Sequence, residues 1–364
     1  MYIFNQQLLS CWLFCVCIYK IIFNQLIQYI KMKHLNQYNN DSKSMQVYIN
    51  EYIIKKKLDK PIDSESFRDK VTVNSVHELV KIIKEEFEKS TDDVVDLNFI
   101  DVSNLDNMWG LFRDVAMACR VGIRKLRNVD ISKWNVSNVR YFKHTFFDYA
   151  NFDCDLSGWD VHNLENAEMM FCKCTNFKGT GLDKWNVSNL KVASSMFSSC
   201  INLNVDLSNW KTSKINSIDR MFYKCSNMNF DASNWDVSNI RNAYGVFGYC
   251  NPMNINVENW NLSNVQNINA MFEGCKNFNQ DLSQWKMPRL MDTSETFLDC
   301  EDFDCDLSGW ITTNIRNCSG MFEGCKKFNH DLSNWKIHST VYNRRNMFKN
   351  CKLPKKYMPE FIKL

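Results

Sequence analysis

The strongest hydrophobic pattern in the chain is a column of tryptophans spaced 25 residues apart, with a single step of 26. Its members are Trp134, Trp159, Trp185, Trp210, Trp235, Trp260, Trp285, Trp310 and Trp335. A phenylalanine follows twelve residues after each of the first eight, and a cysteine recurs three residues after it from Cys174 to Cys351. A fixed period of this length predicts stacked repeats, in which each unit buries its apolar face only against its neighbours.

Apolar residues within one unit have the spacing of a leucine-rich repeat. Leu156, Trp159, Val161 and Leu164 fit this pattern, with tryptophan in one leucine position. Because alternate residues of a strand share a face, Trp-x-Val predicts a short parallel strand with both side chains turned inward.

The segment after each strand is expected to be a short helix. Its apolar positions recur every three to four residues, as in Val265, Ile268, Met271 and Phe272, and the preceding Ser-Asn pair has the form of a helix N-cap. The predicted fold class is therefore an α/β repeat. It is a right-handed leucine-rich-repeat-like solenoid of about ten 25-residue coils, with short parallel strands on one face and short helices on the other.

The array is expected to begin one unit before the first tryptophan of the column. Ile100 takes the tryptophan position in a degenerate unit, so Trp109 is out of phase although it precedes Trp134 by 25 residues. The array then spans residues 95–351, with an insertion near 113–128 that predicts a loop or short helix. Residues 352–364 leave the pattern and predict a C-terminal cap over the last coil.

Three segments precede the array. Residues 1–31 are apolar, but their nearly unbroken run is about 12 residues, short of the roughly 20 that a membrane span needs. A signal or anchor segment, an upstream extension and a packed helix are the alternatives there. Residues 32–70 have the polar composition of a linker, and Ser75-Val-His-Glu78 has the form of a capping box that begins a helix in a capping region at 71–94.

The cysteines and the net charge restrict the compartment and the partners. Eight of the 16 cysteines take the same place in successive units, which is typical of a small buried position and indicates reduced thiols. An intracellular location, host cytoplasm included, is favoured, with surface display or membrane anchoring through residues 1–31 as the alternative. The net charge of +3 gives no reason to expect nucleic acid as a partner, and a monomer is expected.

The residues beside each tryptophan are the candidate binding surface, because on the predicted strands they point outward onto the concave face of a solenoid. The candidates are Lys184, Asn186, Asn209, Lys211, Asn234, Asp236, Asn259, Asn261, Lys286 and Lys336. This face is polar, mildly basic toward its C-terminal end, and lacks the Trp, Tyr and Arg residues that usually anchor an interface. A solvated face without a ligand is the alternative.

A column of aspartates four residues before the tryptophans raises the question of a metal site. Its members include Asp130, Asp155, Asp206, Asp231, Asp281, Asp306 and Asp331. Repeated carboxylates can bind Ca²⁺, but an aspartate that accepts backbone hydrogen bonds in a turn is the preferred interpretation. Cys172 and Cys174 lack a histidine pair at zinc-ligand spacing, and no phosphate-binding or dinucleotide-binding motif is present. We expect no metal, no cofactor and no enzymatic activity.

Two stretches carry a family resemblance. They are the repeat Val129-Asp-Ile-Ser-Lys-Trp134-Asn-Val-Ser-Asn-Val139 with its copies through Lys336, and the preceding Asp96-Leu-Asn-Phe-Ile-Asp-Val-Ser-Asn104. Both resemble the BspA-like leucine-rich-repeat surface proteins, over about 280 residues. The resemblance implies an interaction scaffold, in some members an adhesin, and does not imply an enzyme.

Two functions of different class follow from the sequence. The first is a non-enzymatic protein–protein interaction scaffold with an unknown protein partner, acting in a host cell or on a surface. The second is a structural or coat component, or a surface adhesin, that assembles through its array. A bait made from the chain recovers a specific partner under the first and mainly itself under the second.

Overall fold

The structure, a computed structural model, describes residues 69–337 and 343–363. The predictions for residues 1–31, and for all but the last two residues of 32–70, lie outside the described residues. From residue 70 onward the chain forms one compact unit.

The first described elements form the N-terminal end of this unit. They are β1 (Val71–Thr72), α1 (Val76–Lys89), β2 (Val94–Asp96) and β3 (Ile100–Asp101). The predicted capping box is present: the backbone N–H of Glu78 donates to Ser75 Oγ over 3.1 Å, and the Glu78 carboxylate accepts from the N–H of Asn74 over 2.9 Å. Strand β1 pairs in parallel with β3, which places buried Ile100 opposite Val71.

The insertion after the first unit is ordered and packs against α1. It contains α2 (Leu111–Ala118), a 3₁₀ turn (Ile123–Lys125) and β4 (Asn128–Asp130), which pairs in parallel with β2. The Arg127 guanidinium donates to the carbonyls of Phe87, Ser90 and Asp92 over 2.6–2.9 Å. Since the last carbonyls of a helix lack partners within it, Arg127 caps α1 and ties it to the array.

The tryptophan column lies in the core, as the alternation predicted. All nine side chains are buried, and four pairs of neighbouring rings stack, for example Trp210 on Trp235 with centroids 6.1 Å apart and an angle of 5°. Each indole N–H donates to a backbone carbonyl of the preceding unit over 2.9–3.3 Å. The acceptor for Trp134 is Leu97, three residues before Ile100, so the unit that begins the array holds Ile100 in the tryptophan position.

The strand and helix positions predicted within each unit are wrong. From Trp134 to residue 337, and again from 343 to the C-terminal cap, the described residues hold no α-helix and no strand of more than isolated bridges. Apart from the bridge between Asp231 and Asn256, the bridges lie seven or eight residues after the tryptophan position, not at Trp-x-Val, in the segment assigned to the helix. Residues such as His144 and Asp148 there have φ of 56° and 62°, which a right-handed helix does not allow.

The Ser-Asn pairs therefore do not cap helices. Instead their asparagine amides join neighbouring units. The Asn138 Nδ2 donates to the Ser103 carbonyl over 2.7 Å, and Asn239 Nδ2 donates to the Ser213 carbonyl over 2.8 Å. The asparagine side chains thus hydrogen-bond to backbone carbonyls of the neighbouring repeat rather than to backbone groups at a helix end.

The C-terminal residues cover the last unit. A 3₁₀ turn (Lys355–Tyr357) and α3 (Glu360–Lys363) follow the final repeat. The Leu332 N–H donates to the Tyr357 carbonyl over 2.9 Å, and Tyr357, Met358 and Phe361 pack against the core. Among the described residues, no helix has both the length and the apolar character to cross a membrane.

Candidate interaction surface

The ten residues predicted as the binding surface are exposed, but they do not lie on strands. Each flanks a buried tryptophan in a turn or an irregular segment, and Lys184 ends a 3₁₀ turn (Leu182–Lys184). The ten are Lys184, Asn186, Asn209, Lys211, Asn234, Asp236, Asn259, Asn261, Lys286 and Lys336. Asn186, Asp236 and Asn261 each accept a hydrogen bond on Oδ1 from the backbone N–H two residues later, over 3.0–3.2 Å. These three side chains close turns.

A different surface carries the hydrogen-bonded ladder between units. We call it the ladder face, and it comprises residues 140–148, 165–173, 191–199, 216–224, 241–249, 266–274, 291–299 and 316–324. Backbone N–H groups of one unit donate to carbonyls of the next, as from Phe222 to Val246 over 2.9 Å and from Lys224 to Gly248 over 2.8 Å. Equivalent side chains consequently form rows, with neighbours about 4.8 Å apart.

In the N-terminal part of the ladder face, charged side chains pair with one another. Glu165 lies between Arg140 and Lys191 of the adjoining units, with Oε1 2.5 Å from the Arg140 guanidinium and Oε2 2.8 Å from the Lys191 amine. The hydrogen bonds from Lys191 and Arg140 lower the pKa of Glu165. Lys143 and Glu168 form a further pair over 2.8 Å. These charges have partners within the array.

Further along, the ladder face carries a cluster of aromatic and cationic side chains. We call Arg220, Tyr223, Lys224, Tyr244 and Tyr249 the aromatic–cationic patch. The Arg220 guanidinium lies 4.5 Å from the Tyr244 ring centroid, and the Lys224 amine lies 5.4 Å from the centroids of both Tyr223 and Tyr249. Tyr223 and Tyr249 meet edge to face with centroids 5.5 Å apart. Tyrosine and arginine are the residue types that most often anchor protein interfaces.

Glycines in the next unit make room for two of these rings. A Cβ atom on Gly248 would lie 2.9 Å from the Tyr223 ring, and one on Gly274 would lie 2.6 Å from the Tyr249 ring. Gly274 also has φ of 71°, which disfavours other residues. Each tyrosine therefore lies over a glycine of the following unit, and Tyr249 keeps 41% of its surface exposed.

Two carboxylates adjoin the patch and set its electrostatics. The Tyr249 hydroxyl donates to Glu273 over 2.5 Å, and this hydrogen bond raises the pKa of Tyr249. Burial raises the pKa of Asp219 to about 6, against the opposing effects of the Tyr244 backbone and the Arg220 charge. The Asp219 Oδ1 is buried and has no hydrogen-bond partner among the described residues. The Asp219 carboxyl, which adjoins the patch, is thus expected to change protonation near pH 6.

The aspartates of the column stabilise turns. Each carboxylate accepts a hydrogen bond from the backbone N–H two residues later over 2.8–3.0 Å, as from Ser157 to Asp155 and from Ser233 to Asp231. Within residues 69–337 and 343–363, no group of three or more His, Cys, Asp or Glu side chains is arranged to hold a metal ion.

These regularities define a tandem-repeat protein. Three consecutive, overlapping stretches, residues 81–182, 170–257 and 241–361, match one family model, described as "Mycoplasma protein of unknown function, DUF285". Since the matches cover most of the chain, the protein belongs to this family. No curated protein and no solved structure matches the chain.

The aromatic–cationic patch was missed from the sequence because its residues fell in the segments assigned to helices. Tyr223, Tyr244 and Tyr249 occupy three different positions within their units, so no period connects them. A signal was available, however. These positions vary in chemistry from unit to unit, whereas the Trp, Phe and Cys positions do not.

Proposed function

We propose that the chain is a non-enzymatic protein–protein interaction scaffold, and that its repeat array is a leucine-rich-repeat-like solenoid of the BspA-like kind. The aromatic–cationic patch is the anchor of the partner interface. The observation that carries this proposal is the clustering of three tyrosines, an arginine and a lysine on adjoining units of one surface.

The stacking of equivalent residues supports the solenoid architecture. Phe222 and Phe247 stack with centroids 5.9 Å apart at an angle of 2°, and Phe171 and Phe197 stack at 5.8 Å and 1°. In such an array the repeated residues maintain the core and the variable residues give each protein its partner. The Tyr244 position illustrates this division, since the same position holds Glu168 three units earlier and Ser294 two units later.

Affinity capture with the full chain tests the proposal. The wild type, the patch variant Tyr244→Ala/Tyr249→Ala and the control variant Lys211→Ala/Lys286→Ala serve as baits. Tyr249 and both lysines are exposed and Tyr244 is half-buried, and the control changes the surface beside the tryptophans. We expect a protein that the wild type and the control both recover and that the patch variant loses.

The other outcomes contradict the proposal in distinct ways. A partner recovered by the patch variant and lost by the control would place binding on the surface beside the tryptophans. Recovery of the chain itself alone, with size-exclusion chromatography showing assemblies, would favour the structural or coat function. Circular dichroism melting of each bait checks that the substitutions leave the array folded.

A further inference from the structure

One row of the ladder face changes from paired to unpaired cations along the array. The row consists of the first residue of each ladder-face segment. Its members are Arg140, Glu165, Lys191, Asn216, Arg241, Gln266, Met291 and Arg316. Glu165 forms ion pairs with both Arg140 and Lys191. Arg241 and Arg316 are exposed, and neither has a carboxylate within ion-pair distance among the described residues. Within the described residues, the C-terminal half of the row therefore presents two guanidinium groups that no carboxylate pairs.

These two arginines stand at the ends of an open cavity of about 350 Å³. Gln266 and Met291 lie between them in the same row, and Asp292 also lines the cavity. The Asp292 carboxylate is held internally, because it accepts hydrogen bonds from the Ser294 N–H over 2.9 Å and from an Asn317 amide over 3.1 Å. With two arginines and one aspartate, the lining has a net positive charge.

The distance between Arg241 and Arg316 matches an extended peptide ligand. They are three units apart, which corresponds to about 14 Å at the spacing of hydrogen-bonded strands. An extended peptide rises about 3.3–3.4 Å per residue, so residues four apart are separated by about 13–14 Å. Residues four apart in an extended chain also point to the same side. Two acidic side chains at this spacing reach Arg241 and Arg316 together.

The residues in the middle of the cavity indicate which kind of peptide residue lies between the two acidic side chains. Met291 offers a flexible apolar contact, and Gln266 offers amide hydrogen bonds. The Asp292 carboxylate repels a third acidic group placed there. The central residue of the peptide is therefore apolar or neutral.

We propose that this row binds an extended segment of the protein partner that carries two carboxylate side chains four residues apart, with an apolar residue midway between them. This inference rests on the proposed scaffold function and assigns the chemistry of the bound segment. Bidentate pairing of each guanidinium with a carboxylate fixes the register of the segment on the array.

Fluorescence anisotropy with synthetic peptides on the full chain tests the inference. The probe is a labelled peptide GTDTVTDTG, and its isomer GTDTDVTTG has the same composition but places the acids two residues apart. We expect the isomer to bind about threefold to tenfold more weakly, and Arg241→Gln and Arg316→Gln each to weaken the first peptide by a similar factor. Arg140→Gln, in the same row but outside the cavity, is the matched control and leaves the affinity unchanged.

Several results overturn the inference. They are equal binding of the two isomers, no binding of the first peptide, and undiminished binding by the double variant Arg241→Gln/Arg316→Gln. Failure of the peptide experiment leaves the patch-dependent capture of a partner untouched. Conversely, peptide binding without any captured partner separates the chemistry of this row from the scaffold function.

Discussion

The Cys250 thiol donates a hydrogen bond to the backbone carbonyl of Phe222 in the preceding unit, over 2.9 Å. Six other cysteines of the column, from Cys174 to Cys325, make the equivalent bond over 2.9–3.1 Å. Burial raises the pKa of Cys250 to about 12, so the thiol keeps the proton that it donates. The column therefore joins neighbouring units as well as filling the core.

Removal of one thiol from the column destabilises the array. For Cys250→Ala we expect a loss of about 1–2 kcal/mol in the free energy of unfolding, from the lost sulfur contacts and the unsatisfied Phe222 carbonyl. Urea unfolding followed by circular dichroism measures it. Cys119→Ala is the control, because Cys119 is only partly buried and lies outside the column. Equal losses for the two variants would show that the column position has no special role.

Tryptophans inside and outside the column contribute differently to the free energy of unfolding. Trp235→Phe removes the indole N–H that donates to the Leu207 carbonyl and leaves a small cavity in the stack. We expect a loss of about 2–3 kcal/mol. Trp109→Phe, at a side chain that is 56% exposed, changes the free energy of unfolding by less than about 0.5 kcal/mol. A comparable loss for Trp109→Phe would contradict the assignment of Trp109 outside the core column.

Asp219 gives the protein a measurable dependence on pH. Because its pKa is raised to about 6 from 3.8, the folded protein binds more protons than the unfolded chain between these values. Stability therefore falls as the pH rises through this window and then levels off. Asp219→Asn removes that contribution and raises the stability at pH 7 relative to the wild type by about 1 kcal/mol, after allowance for its partial exposure.

Asp231 has the opposite sign and is the matched control. Its pKa is lowered, chiefly by the hydrogen bond with Ser233, so it stabilises the fold at neutral pH and loses that effect in acid. Asp231→Asn should thus lower the urea midpoint at pH 7 more than at pH 3, which lies below the ordinary pKa of 3.8. If both variants shift the midpoint in the same direction at pH 7, the assigned pKa of Asp219 is wrong.

The sequence predicted the buried positions and the start of the array, because both follow from the 25-residue period. Trp159, Val161 and Leu164 are buried because a fixed period can be satisfied only by stacking, and Ile100 was recognised as a substitute for tryptophan by its phase alone. The burial of the cysteines from Cys174 to Cys325 followed from the same argument.

The sequence could not predict what depends on backbone conformation. Val265, Ile268 and Met271 have a spacing that suits a helix, but Ala270 between them has φ of 53°. A left-handed alanine leaves no mark in a pattern of apolar and polar residues. The helix pattern therefore gave no reason to single out Tyr244 or Arg220. As a consequence, the Trp-x-Val pattern predicts the backbone pairing between units in the wrong segment, and the ladder face is not predicted.

We propose that a partner binds the ladder face rather than the surface beside the tryptophans. Two side chains of similar exposure report on these surfaces: Tyr249 of the patch, 41% exposed, and Ile311 beside Trp310, 45% exposed. Hydroxyl-radical footprinting of the full chain, with and without the captured partner, measures the oxidation of both by mass spectrometry. We expect the partner to protect Tyr249 and to leave Ile311 unchanged. Protection of Ile311 with Tyr249 unchanged would contradict it.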